Sequence, residues 1–211
     1  MNAASRLFCM IRPNYAMDAP PETLTIDGRE YAINTDYRVW IEVMERLEKL
    51  NVHPDSDKAA LKTLEGIFEL ERLVIGKTVD ENIGSFLSAV AEFSKGYATA
   101  PRKPLGGDGT QTFDFGYDIS EIVIAIRNQT GQDIGYRCEH FHWWLFLLEF
   151  RTLCGDHYIL NLMDARGYKG KDPEMKKRKA AAALPAKYSD EDLEALEMMQ
   201  ALLDGAGSEG E

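Results

Sequence analysis

Thr23-Leu-Thr-Ile-Asp-Gly-Arg-Glu-Tyr-Ala-Ile-Asn-Thr-Asp-Tyr-Arg-Val-Trp40 changes its hydrophobic period partway along. Residues 23–26 alternate polar and apolar, Asp27-Gly28 fits a two-residue turn, and Tyr31 and Ile33 alternate on the return. An Asp-Gly pair suits a type I′ turn, which needs positive φ at both central positions. A lone hairpin of this size is marginal and must dock on something. After Ile33 the period becomes helical. Asn34-Thr35-Asp36 supplies an N-cap, and Val39, Trp40, Val43, Met44, Leu47 and Leu50 place one apolar stripe on a helix of about four turns.

Further helices follow on both sides of one break. Pro54 ends the first helix, and Ser56 or Asp57 caps a second, with Leu61, Leu64, Ile67, Phe68 and Leu70 read as facing inward. A third runs from about Asp80 to Ser94, carrying Ile83, Phe86, Leu87, Val90 and Phe93, and Gly96 ends it. Residues 98–112 hold two prolines and three glycines, which forbid continuity of helix or strand. Beyond this linker Phe113-Asp-Phe-Gly-Tyr-Asp118 leads into a helix from about Ile119 to Asn128. An aromatic helix spans about Glu139 to Leu153, and Asp156 caps a short successor through about Ala165. Pro173 sits at the first position of the next helix, where its missing N–H costs nothing, and that helix runs to about Leu184. A last amphipathic helix follows Ser189, with Leu193, Leu196, Met199 and Leu203 in register, before a disordered tail.

The expected fold is therefore mainly α: a multi-helix domain with a small N-terminal β-hairpin and two helical subdomains joined by a Pro/Gly linker. Residues 1–21 form an irregular arm, 22–97 the hairpin with three helices, and 98–112 the linker. Residues 113–186 form the C-terminal helical subdomain, and 187–211 an acidic amphipathic helix and tail.

Composition narrows the function. The 211 residues are 45% hydrophobic and 28% charged, enough for one sizeable core without disulfides or metal. The net charge of −11 disfavours nucleic acid and anionic membranes as partners. No run of 18 apolar residues suggests a membrane span, and the start lacks the long hydrophobic stretch of a signal peptide. Three widely spaced cysteines, Cys9, Cys138 and Cys154, read as reduced thiols in a cytoplasm. The basic stretch 169–179 lacks interleaved aromatics, and the acidic segment 188–211 lies close behind it. A solvated face, or association of tail with helix, is the plainer reading than nucleic-acid binding.

Cys138, His140, His142, Cys154 and His157 contain the usual zinc-ligand types. None of their spacings is that of a zinc knuckle, and no His-Glu-x-x-His is present. The plainer reading makes Cys154 a small buried hydrophobe and the histidines a fringe on an aromatic core. Gly106-Gly-Asp-Gly109 lacks the Gly-Lys-Ser/Thr ending of a phosphate loop. No catalytic, cofactor-binding or metal residue is assigned, and no enzyme is expected. Trp143-Trp144, with Phe141, Leu145, Phe146, Leu147, Leu148 and Phe150, makes a helix apolar nearly all round. Such a helix is the centre of its domain or offers one face to a partner, including a second copy.

Three segments in order resemble the bacteriophage gp-fifteen family of tailed phages and prophages. The first is Pro21 to Trp40, similar to the family's Asp-Gly hairpin leading to Thr-Asp-aromatic-Arg-x-Trp. The second is Phe113-Asp-Phe followed by His142-Trp-Trp-x-Phe146. The third is Arg166-Gly-Tyr168 with Ala183-Leu-Pro185. Phe141 stands where the family tends to have Leu, and Arg166-Gly-Tyr168 departs from its usual Gly-Tyr-Arg order. The resemblance implies a non-enzymatic tail assembly chaperone or scaffold that binds the tape-measure protein, and possibly other tail proteins. It would act in the host cytoplasm and be absent from the mature virion. The expected contact residues are Trp143, Phe146 and Phe150, with Trp40 and Met44 as a second option. The rival expectation is a structural virion component, such as a tail-completion or connector protein.

Overall fold

The structure, a computed structural model, describes residues 15–50, 57–97 and 110–185. Among the described residues the chain forms β1 (Thr23–Ile26), β2 (Arg29–Ala32), α1 (Tyr37–Lys49), α2 (Asp57–Ile75), α3 (Ile83–Phe93), α4 (Phe115–Thr130), α5 (Trp143–Arg151), α6 (Tyr158–Gly167) and α7 (Pro173–Ala181). It is mainly α with a two-stranded antiparallel hairpin, as the change of period predicts.

The hairpin pairs Ile26 with Arg29 and Leu24 with Tyr31. Asp27 (φ 48) and Gly28 (φ 82) both take positive φ, the conformation a type I′ turn requires. Leu24 and Ile26 face the core. The turn docks on the start of α3: Asp27 accepts hydrogen bonds from Asn82 N–H at 3.1 Å and Ser85 Oγ–H at 2.6 Å. These two bonds hold the Asp27 carboxyl below its ordinary range, Ser85 having the larger effect. One turn aspartate thus serves the hairpin and helps to cap a helix, which anchors a hairpin too small to stand alone.

One hydrophobic cluster forms the interior. It takes Trp40 and Val43 from α1, Leu70 and Val74 from α2, Phe86 and Val90 from α3, Ile122 and Ile126 from α4, Trp143 and Phe146 from α5, and Ile159 from α6. The halves on either side of 98–112 are therefore halves of one core, not two cores. Trp40 lies stacked beside Trp143 at 6.4 Å between ring centroids.

Several boundaries differ from expectation. α4 starts at Phe115, not 119, because Asp114 is its N-cap and accepts from Tyr117 N–H at 3.1 Å. α5 starts at Trp143, not 139, because residues just before it are extended and paired with the segment before α1. α3 starts at Ile83 under an Asn82 cap. His157, not Asp156, occupies the cap position of α6, and Asp156 instead accepts from Asn161 Nδ2 at 2.7 Å. Pro173 does open α7, with Asp172 as cap, but the helix ends at Ala181. The break at Pro54, most of the linker (98–109), the arm before residue 15, and the helix and tail after residue 185 lie outside the described residues.

The largest correction concerns α2. Ile67, Leu70 and Val74 are buried, but Leu61 (63%), Leu64 (38%) and Phe68 (41%) are exposed instead of facing inward. The helix packs chiefly along α1. Its fully inward positions are 67, 70, 71 and 74, a face rotated from the one that Leu61, Leu64 and Phe68 share.

Candidate partner-binding surface

The starts of α1 and α5 are joined by a dense set of hydrogen bonds. Asp36 has extended backbone (φ −64, ψ 133), and its carboxylate accepts from Arg38 N–H at 3.0 Å. The same carboxylate takes two guanidinium N–H bonds from Arg38, both 2.7 Å, and Phe141 N–H at 3.2 Å. Burial works to raise the Asp36 pKa, but these donors outweigh it and hold the group below the ordinary aspartate value. Opposite it, His142 caps α5 by accepting Trp144 N–H at its Nδ1, 3.0 Å away. An accepting Nδ1 leaves the ring proton on Nε2, which donates to the Pro21 carbonyl at 3.0 Å. Burial pushes the His142 pKa down, so the ring is neutral at pH 7.

Asp36 and His142 form an isolated antiparallel bridge. Tyr37 N–H donates to Phe141 O at 2.9 Å, and Trp143 N–H donates to Thr35 O at 2.7 Å. The two helix starts thus satisfy each other's unpaired backbone groups as well as their own. His140 joins in through Thr35 Oγ1 at 2.9 Å. The histidines fringe an aromatic core, as the plainer reading of the Cys/His cluster has it: the His142 ring is 6.0 Å from that of Phe93. Cys138 Sγ donates to His140 O at 3.3 Å. Cys154, expected to be buried, is exposed in the turn after α5. Among the described residues no group of three or more His, Cys, Asp or Glu side chains is placed to hold a metal ion.

The aromatic residues expected to contact a partner are mostly interior. Trp143 is 1% exposed, and Phe146 and Trp40 are 0% exposed. Phe150 and Met44 are half-buried against the same cluster. All three indole N–H groups are used inside: Trp40 donates to Asn34 O at 2.7 Å, Trp143 to Ser94 O at 3.0 Å, and Trp144 to Phe93 O at 2.8 Å. Phe146 stacks on Tyr37 at 4.6 Å. α5 lies in the core, and Trp143, Phe146 and Trp40, expected as contact residues, are enclosed there. A ring enclosed on all sides has no surface to give. Gly96 (φ 64), just past α3, permits this closeness, since a Cβ there would stand 3.0 Å from Leu147 Cδ1.

A second buried junction escaped the sequence reading altogether. Arg166 on α6 makes a forked pair with Asp118 on α4, at 2.7 and 3.0 Å, with both side chains almost fully enclosed. The guanidinium also donates to Thr112 O at 3.0 Å and to Ala182 O, just past α7, at 2.6 Å. Asp118 accepts from Asp114 N–H at 2.9 Å. Such a pair holds only when its remaining donors and acceptors are satisfied, and here they are. The available signal was an Asp and an Arg set in two of the motifs quoted above.

Among the large apolar side chains left exposed are Leu61, Leu64 and Phe68, a stripe on α2; Tyr117, Ile124, Tyr136 and Tyr158 are exposed elsewhere. Spacings of three and four put these side chains on one face. On the adjoining face of the same helix Glu71 is 1% exposed, accepts Val79 N–H at 3.3 Å, and has its pKa raised chiefly by burial. The helix thus turns a carboxyl inward and a phenyl ring outward. The basic α7 buries none of its residues fully. Its Lys176, Lys177 and Arg178 point to solvent, while Lys179 donates to Tyr168 O at 2.8 Å. Among the described residues no helix is long and apolar enough to cross a membrane.

Comparison with known proteins agrees with the motif order. No curated protein and no solved structure matches the chain. The family described as Bacteriophage Gp15 protein matches residues 17–201, which include all three motifs and both buried junctions. A structural, head–tail-related role in a phage is what that match points to. The chain belongs to the bacteriophage Gp15 protein family.

Proposed function

We propose that this protein is a non-catalytic factor of phage tail assembly that holds helices of the tape-measure protein until the tail tube closes around them. The observation that carries the reading is the exposed stripe of Leu61, Leu64 and Phe68 on α2. Three large apolar side chains at helical spacing are a face on which another amphipathic helix can lie. The rest of the chain suits a holder: a net charge of −11 keeps a protein with a hydrophobic client in solution. The pinned core, with every indole N–H bonded to backbone, keeps that face on a rigid support. The work is done in the host cytoplasm, and the protein leaves before the virion is complete.

Co-expression with the tape-measure protein of the same phage tests this, with finished virions probed by mass spectrometry. Capture of the tape measure by the wild type, a loss of at least about tenfold in capture by Leu61→Asp/Phe68→Asp, and absence from virions are expected. Presence in virions at a symmetric copy number, without capture, would replace this reading with that of a connector or tail-completion subunit.

A further inference from the structure

We infer that, when no client is bound, the exposed face of α2 is covered by α2 of a second copy of this chain, running antiparallel across a two-fold axis near Leu64 and Glu65. This rests on the reading of α2 as a face that holds a helix and names its occupant in the free protein. The stripe is longer than its three apolar members. Asp57, Leu61, Leu64, Phe68 and Arg72 follow one another at steps of four, three, four and four, so they lie along one face, and all five are exposed. Its ends carry opposite charge, acid at the start and base at the finish. At 1.5 Å per residue the stripe is roughly 22 Å long.

An antiparallel mate placed about the Leu64–Glu65 midpoint makes the stripe complementary to itself. Leu61 meets Phe68 of the partner, Leu64 meets its own counterpart near the axis, and Asp57 meets Arg72 at both ends. A parallel mate would instead set Asp57 against Asp57 and Arg72 against Arg72, which like-charge repulsion disfavours. This is the isologous arrangement of a two-fold dimer. The one unfavourable element is Glu65, exposed beside Leu64, whose carboxylate would stand near its symmetry mate. Three apolar side chains per copy make a small interface, at the weak end of specific association. A weak self-pairing hides the stripe from solvent and still yields it to a client helix.

Sedimentation velocity of the full chain over a concentration series, without tape-measure protein, tests the inference. A reversible dimer is expected. Phe68→Glu should raise its dissociation constant at least about tenfold with the circular dichroism unchanged. Asp57→Arg and Arg72→Asp should each weaken it, and the double exchange should restore it, because each charge faces the other's replacement across the axis. Glu65→Gln should tighten it. A wild type that stays monomeric, a Phe68→Glu dimer as strong as the wild type, or a failure of the double exchange to rescue would each overturn the inference. A monomer that still captures the tape measure would leave the proposed function standing, whereas a dimer with no capture would sink that function and keep the dimer.

Discussion

Phe146 on α5 and Phe68 on α2 are both set in apolar stripes at steps of three and four, yet the first is fully enclosed and the second is 41% exposed. The difference lies in their neighbours. α5 enters between α1 and α4, its Trp143 and Trp144 are bonded to the carbonyls that end α3, and its start is paired with the start of α1. α2 is held along α1, by the Arg46–Glu69 ion pair, and by Asn34 N–H on Val74 O at 2.8 Å. Its fully buried positions stop at one narrow face. Periodicity identifies which residues travel together; it does not say whether anything covers them.

The largest expected effect would break the α5 side of the comparison. Trp143→Ala removes an enclosed ring and an internal hydrogen bond and should cost about 3–5 kcal/mol, read from urea unfolding. A loss near zero would mean that the Trp143 ring is not enclosed and would favour the partner face as the role of α5. Comparable in size, Asp118→Ala leaves Arg166 buried without its counter-charge and should cost about 3–5 kcal/mol. A variant that unfolds at the wild-type midpoint would mean that this junction is not closed in solution.

A smaller effect sharpens the contrast at the α5 start. The His142 pKa is pushed below its ordinary value, 6.5, so the unfolded chain takes up the proton first as the pH falls. Stability contributed by the neutral ring is present above about pH 6.5 and is lost below it, down through the lower folded value. His142→Asn keeps a capping side chain without a titrating group and should flatten the stability profile below about pH 6.5. An unchanged slope would show that the ring is not buried as described. The smallest effect belongs to α2: Phe68→Ser should change the stability of the monomer by no more than about 0.5 kcal/mol. A loss of several kcal/mol would place Phe68 in the core and remove the surface on which the proposed function rests.

Much of the local structure was legible. Asp27-Gly28 and the alternation around it specify the hairpin, and Asp36 and Pro173 occupy the cap and first-turn positions their chemistry favours. The burial expected of Cys154 is not legible in its spacing, and the structure exposes it in the turn after α5. The error on α2 came from assigning inwardness to the most apolar face when the fold buried the next one, Glu71 included. Residues 139–142 are not helix as expected, because His142 bridges Asp36 and the residues before it bond to Thr35, Asp36, Tyr37 and Arg38.

By itself the sequence determined the periods, turns and caps, because these depend on φ, ψ and side chains within a few residues of one another. Tertiary structure alone decided that Asp36 and Phe141, 105 residues apart, share a hydrogen bond, that Arg166 is buried on Asp118, and that the tryptophans are core while Leu61 and Phe68 are surface. Burial is a property of what arrives from elsewhere in the chain, and a polar group is enclosed only where a distant partner satisfies it.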